Sequence, residues 1–159
     1  MKTWQGLYAM VWVSFLAFLL EMTRFVFPAL STALLAAHVG VGVAIVGLAY
    51  ANFSRLLATT VPGRVKRIAK STLQMAVAAG VIGVLLGLRL GETLVIPLVG
   101  VSIFNVFQFF HAVVAFAIIT QAAAAAIGYD MWEEREFEKE SEPGVVPPNP
   151  AVQAAAKKA

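Results

Sequence analysis

The chain has 159 residues, of which 60% are hydrophobic and 13% charged, and its mean hydropathy is +0.81. Soluble domains are roughly 45–50% apolar and about 25% charged, so this composition excludes a water-soluble globule. The formal charge of +3 comes from a few basic residues in one segment rather than a broad face, which argues against nucleic acid as a partner, and the absence of cysteine removes disulfides, thiolate metal sites and thiol nucleophiles.

A spanning helix needs about 20 predominantly apolar residues, and the chain has room for four. The first apolar run, residues 4–20, follows Lys2. Glu21, Met22, Thr23 and Arg24 come next in place of a small-residue cleavage site, so the run is read as a retained helix rather than a signal peptide. A second run starts after Pro28, a residue suited to the first turn of a helix, and covers 29–53. Arg55, Arg64, Lys66, Arg67 and Lys70 then cluster around a turn at Pro62 and Gly63. The third run, 71–90, carries Ala76, Gly80, Gly83 and Gly87, a stripe of small residues read as helix packing. The fourth, 93–128, is long for one span, and its residues up to Pro97 or Gly100 are expected to form an interfacial loop or a helix extension.

Unsatisfied backbone groups are too costly in lipid for anything but helices here, so the expected fold is all-α: a four-helix up-down transmembrane bundle over 1–128. Residues 129–142, rich in glutamate, are expected to be a solvated acidic helical extension, and the proline- and alanine-rich residues 143–159 a disordered tail. Basic residues between helices two and three place that loop, and with it both termini, in the cytoplasm of a cell membrane.

His38 and His111 are the only histidines, and both sit inside apolar runs. Ionisable side chains within spans are costly and usually functional. Helices two and four of an up-down bundle run the same way. His38 lies 17 residues before Arg55, and His111 lies 19 before Asp130, so at about 1.5 Å per residue the two imidazoles differ in depth by only about 3 Å. Two histidines at one depth on neighbouring helices can ligate the two faces of a haem iron. Gly42 and Ala115, one turn beyond each histidine, leave a slot for a flat macrocycle, and Phe104, Phe107, Phe109 and Phe110 can wall it. Arg24 and Arg89, near the same surface, are candidates to receive haem propionates, or to anchor helix ends. Gln108, one turn before His111, is the remaining polar residue best placed to touch a cofactor, while Asn52, Gln74, Asn105 and Gln121 are read as packing groups. Glu21 and Arg24 have the spacing of an ion pair, with a proton carrier as the second role for Glu21. Two imidazoles without adjacent carboxylates or cysteines make a poor closed zinc site, and a cofactor-free hydrogen-bonded pair is the other reading of the histidines.

His38 in helix two, the basic loop, Leu73-Gln74-Met75 leading into Gly80, Gly83 and Gly87, and His111 in helix four together resemble half of a haem A synthase over residues 1–128. That family converts haem O to haem A with two four-helix halves, each carrying histidines on its second and fourth helices. The resemblance implies a membrane oxidoreductase with His38 and His111 as iron ligands, Arg24, Arg89 and Gln108 around a haem of b type or haem O or A, and Glu21 as the catalytic carboxylate. Leu34 and Leu35 stand where the family places a glutamate one turn before its histidine, and Val39 stands where it often has a basic residue. A single half implies a second copy or a partner. Two other readings remain open: a non-catalytic cytochrome b-like electron-transfer subunit of a respiratory complex, and a cofactor-free membrane assembly protein.

Overall fold

The computed structural model describes residues 2–141, so the expected tail at 143–159 lies outside the described residues. Four helices dominate: α1 (Thr3–Val26), α2 (Ser31–Leu57, entered through a 3-10 turn at Pro28–Leu30), α3 (Gly63–Gly87) and α4 (Ile103–Ser141). Each contains a stretch long and apolar enough to cross a membrane, consistent with a multi-pass membrane protein. α1 packs on α2 and α4, and α3 packs on the same two, so α2 and α4 each touch both of the others.

What selects this packing is a repeat. The buried residues of the helices are Leu7, Met10, Ser14 and Ala17 on α1; Ile45, Ala49, Asn52 and Leu56 on α2; Val65, Ala69, Thr72 and Ala76 on α3; and Ile118, Ala122, Ala125 and Tyr129 on α4, with Gly6 and Ala126 beside them. Steps of three and four alternate on all four helices. That is the 3.5-residue period of knobs-into-holes packing, which keeps one seam of each helix facing its neighbours. Alanine is common in these seams, so the helices approach closely. At Gly128 an added Cβ would stand 3.1 Å from Val65 Cγ2, so α4 leaves no room there for a side chain against α3.

The ends of the helices have separate causes. Gln5 Oε1 accepts the Lys2 backbone N–H at 2.8 Å at the start of α1, and Pro28 ends that helix's continuation. The link from α2 to α3 is short because Lys66 reaches back: its Nζ donates to the carbonyls of Thr59 at 2.7 Å and Leu57 at 3.5 Å, placing a cation at the C-terminus of α2. The basic segment is therefore mostly helix rather than loop, since α3 begins at Gly63 and includes Arg64, Lys66, Arg67 and Lys70 in its first turns.

At the other end α3 closes with a Schellman motif. Leu90 N–H donates to Leu85 O at 3.1 Å and Arg89 N–H to Leu86 O at 2.9 Å, which forces Arg89 to φ 53°. Residues before α4 form a loop rather than a helix extension, and within it Val95–Ile96 (β1) and Val101–Ser102 (β2) pair as a small antiparallel hairpin. The hairpin is pinned to α4 by Ile103 N–H to Leu94 O at 2.8 Å and Phe104 N–H to Gly91 O at 3.2 Å. Gly91 makes this possible, because at φ 77° its missing Cβ would lie 2.8 Å from Ile103 Cβ.

Two stability changes are expected. Arg89→Gly removes the cost of holding a residue with a Cβ in the left-handed region and raises stability by about 1 kcal/mol. Gly128→Leu drives bulk into Val65 and lowers it by about 1–3 kcal/mol. Thermal unfolding of the detergent-solubilised protein measures both.

Candidate functional site

Extending the seams past the packed half, in the same alternation of three and four, leads to Glu21 on α1, His38 on α2, Gly83 on α3 and His111 on α4. One side chain from each helix thus falls in one layer. The two imidazoles meet there with ring centroids 6.1 Å apart and planes inclined at 56°. His38 lies seven residues into α2 and His111 eight into α4, roughly 10–12 Å from those helix starts, which explains why they share a level.

Each ring is held differently. His38 Nδ1 is 2.9 Å from the carbonyl oxygen of Ala17 on α1. A carbonyl can only accept, so this nitrogen carries the proton and the lone pair is left on Nε2. The Cε1/Nδ1 edge of His111 instead lies against α3: a Cβ built on Gly83 would be 3.4 Å from Cε1 and 4.0 Å from Nδ1. Its buried Nδ1 makes no hydrogen bond, so a polar atom is left unsatisfied in the layer. Glu21 is close enough to both imidazoles to interact with them electrostatically. It is also committed to Arg24, whose Nε donates to Glu21 Oε2 at 3.0 Å while Nη2 donates to the other oxygen, a two-point pair in a half-buried setting.

Packing changes where this layer begins. Among the described residues none is buried beyond Ala17 on α1, before Ile45 on α2, after Ala76 on α3 or before Ile118 on α4. The seam positions immediately inward of the histidines are Ala17, Gly42, Ala79 and Ala115, four small side chains in one layer. A Cβ on Gly42 or on Gly80 would meet nothing within 4 Å. The stripe of small residues on α3 therefore does not serve close helix contact along its length: Gly83 touches His111, while Gly80 and Gly87 face open space.

The other expected site residues scatter. Arg24 lies one turn beyond Glu21 in the α1 seam, and the same seam count reaches Gln108 in α4, although Gln108 is exposed. Phe104 and Phe107 are half-buried, whereas Phe109 and Phe110 are exposed and pack on each other with centroids 5.7 Å apart. Arg89 is outside the layer; its side chain is 73% exposed and pairs with Glu92 at 2.5 Å, which holds the guanidinium pKa above its ordinary value through the hydrogen bond to the carboxylate. Of the packing amides, Asn52 Nδ2 donates to Gly6 O at 2.8 Å and Gln121 Oε1 accepts from Thr72 Oγ1 at 3.4 Å; Gln74 and Asn105 are exposed. Reading the residues one at a time missed the role of Gly83 and the nearness of Glu21 to both histidines. The alternating three-and-four repeat carries that signal.

Among the described residues no group of three or more His, Asp or Glu side chains is placed to hold a bare metal ion. The donor set is two imidazoles. Comparison with known protein families, with curated proteins and with solved structures finds no match.

Gly83→Leu should push His111 off its seat while leaving the packed half intact. The expected readout is a shift of the His111 imidazole nitrogen resonances with little change in helical circular dichroism; unshifted resonances would show that α3 does not position the ring.

Proposed function

We propose that this chain is an up-down four-helix membrane bundle in which His38 and His111 hold one haem iron between them. The observation that carries the reading is the pair's separation. Metal–imidazole nitrogen bonds are about 2.0–2.1 Å, so two rings gripping one ion from opposite sides stand roughly 6 Å apart between centroids, close to the 6.1 Å found here. The tautomer of His38 fits a ligand, because its Nδ1–H to Ala17 O bond leaves the Nε2 lone pair available and fixes the ring's orientation. The unsatisfied Nδ1 of His111 fits a second ligand whose ring settles on binding, and the layer Ala17, Gly42, Ala79 and Ala115 fits a flat macrocycle that needs room beside both rings. With basic residues favouring the inner face, the Arg55-to-Lys70 end would face the cytoplasm and the histidines would lie in the outer half of the bilayer.

When bound, the haem supplies one-electron chemistry at a potential that ligation and polarity tune. His38 and His111 would both hold the iron, which would favour carrying electrons over activating oxygen there. Within the haem A synthase-like reading, this half then serves as the electron-carrying site, and oxidation of haem O to haem A requires a second haem site from another copy or a partner subunit. Glu21, ionised in its pair with Arg24, would set a negative charge beside the two imidazoles, and Arg24 and Gln108 lie at the seam positions outward of the histidines, on the side suited to propionates. Ligation by both imidazoles would equally suit a cytochrome b-like electron-transfer subunit.

Purified protein should show a reduced-minus-oxidised spectrum with b-type bands that His38→Ala and His111→Ala each abolish. A colourless wild type after haem supplementation, or variants that keep the bands, would overturn the haem reading. Co-expression with a haem O source, followed by chromatography of extracted haems, divides the two roles: haem A or a hydroxylated intermediate supports the synthase, and unchanged haem O supports the electron carrier.

A further inference from the structure

A second feature lies at the opposite, basic end, on the outside of the bundle. A groove of about 390 Å³ runs between α3 and α4, lined by Arg64, Arg67, Ile68 and Ser71 on one wall and by Thr120, Gln121 and Ala124 on the other. Arg64 and Arg67 are both exposed, and no carboxylate among the described residues pairs with either guanidinium, although acidic side chains elsewhere on the chain take Arg24, Arg89 and Lys139. Two free guanidiniums one turn apart can grip a phosphate through charge-assisted, bidentate hydrogen bonds.

The remaining lining says which kind of phosphate. Arg64 is next to Val65, which meets Gly128 on α4 and belongs to the cluster against which Trp132 packs, an aromatic residue of the type that sits at a membrane's polar boundary. Ser71 lies seven residues further along α3, about 10 Å deeper, where it is joined by Thr120 and Gln121. Thr120 Oγ1 already donates its one hydrogen to Phe116 O at 3.0 Å, so the Ser71 hydroxyl and the Gln121 amide nitrogen are the groups left to donate to ester carbonyls at this depth. Ile68 and Ala124 supply apolar floor between. Charge at the boundary, polar groups at ester depth and an apolar floor along two spanning helices match an anionic glycerophospholipid. A small soluble phosphate has no use for the deeper polar pair or for the floor.

We propose that this groove binds the phosphodiester headgroup of an anionic glycerophospholipid of the phosphatidylglycerol or cardiolipin type, with the guanidiniums of Arg64 and Arg67 on the phosphate and one acyl chain against Ile68 and Ala124. Basic pockets between spanning helices bind such headgroups in general. The site is independent of any haem, since it shares no residue with the histidine layer.

Native mass spectrometry of the full chain released from mixed phosphatidylglycerol, cardiolipin and phosphatidylcholine micelles tests it. The wild type should retain one anionic lipid in preference to phosphatidylcholine. Arg64→Gln with Arg67→Gln should reduce that retention about tenfold or more, whereas Arg135→Gln with Lys139→Gln, the same change of charge on the α4 extension, should leave it unchanged. Ala124→Trp, which fills the floor with every charge kept, should also release the lipid, so the proposal remains testable if the double arginine variant folds poorly. Equal loss in the Arg135/Lys139 control, full retention in the Arg64/Arg67 or Ala124 variants, or displacement of the lipid by millimolar glycerol phosphate would overturn it.

Discussion

The structure rests on four seams with one period. Within an apolar helix the backbone satisfies its own hydrogen bonds, so the chain gains little from any particular side of a helix facing inward unless side chains interlock there. Leu7 to Ala17, Ile45 to Leu56, Val65 to Ala76 and Ile118 to Tyr129 supply that interlock at steps of three and four. Small residues make up much of it, which brings backbones close and lets dispersion between many atom pairs do what the hydrophobic effect does in water. Ser14, Asn52 and Thr72 occupy seam positions too, and the bonds of Asn52 to Gly6 O and of Thr72 to Ile68 O tie polar groups to backbone where leaving them bare would be costly.

The same seams produce the site by changing composition without changing period. Once large side chains give way to Ala17, Gly42, Ala79 and Ala115, interlocking weakens and the bundle loosens over its remaining turns, where no described residue is buried. Two imidazoles and a carboxylate occupy the very next layer. Buried packing is concentrated at one end and the histidine layer lies at the other, a division that lets the histidine end carry an unsatisfied His111 Nδ1 without unfolding the whole. The strained Arg89 and the hairpin held by Gly91 close that loose end, where packing alone does not.

At the basic end, polar contacts reinforce the packing. Lys66 covers the last carbonyls of α2, and Tyr8 Oη donates to Asp130 Oδ2 at 2.5 Å, joining the first and last helices. Lys66 is thereby occupied, whereas Arg64 and Arg67 are left facing the α3–α4 groove. A cluster that looks like uniform positive charge in the chain is thus divided by structure, with Lys66 capping α2 and Arg64 and Arg67 lining the groove.

The sequence alone determined that the chain is helical and apolar enough for four membrane-length helices, because hydropathy and length are properties of consecutive residues. It also determined that His38 and His111 lie at similar distances from the helix ends, since rise per residue is fixed. Helix limits were less legible: α3 starts at Gly63 because Pro62 and the Lys66 cap favour a helix through basic residues, and 95–102 pairs as a hairpin because Gly91 permits an approach that periodicity does not report. Tertiary structure alone decided that Gly83 seats His111, that Ala17 orients His38, that Glu21 stands within reach of both rings and that Gln108, Phe109, Phe110 and Arg89 turn outward. Those facts depend on which seam faces which helix, a choice made by packing between segments far apart in the chain, and no local pattern in any one segment contains it.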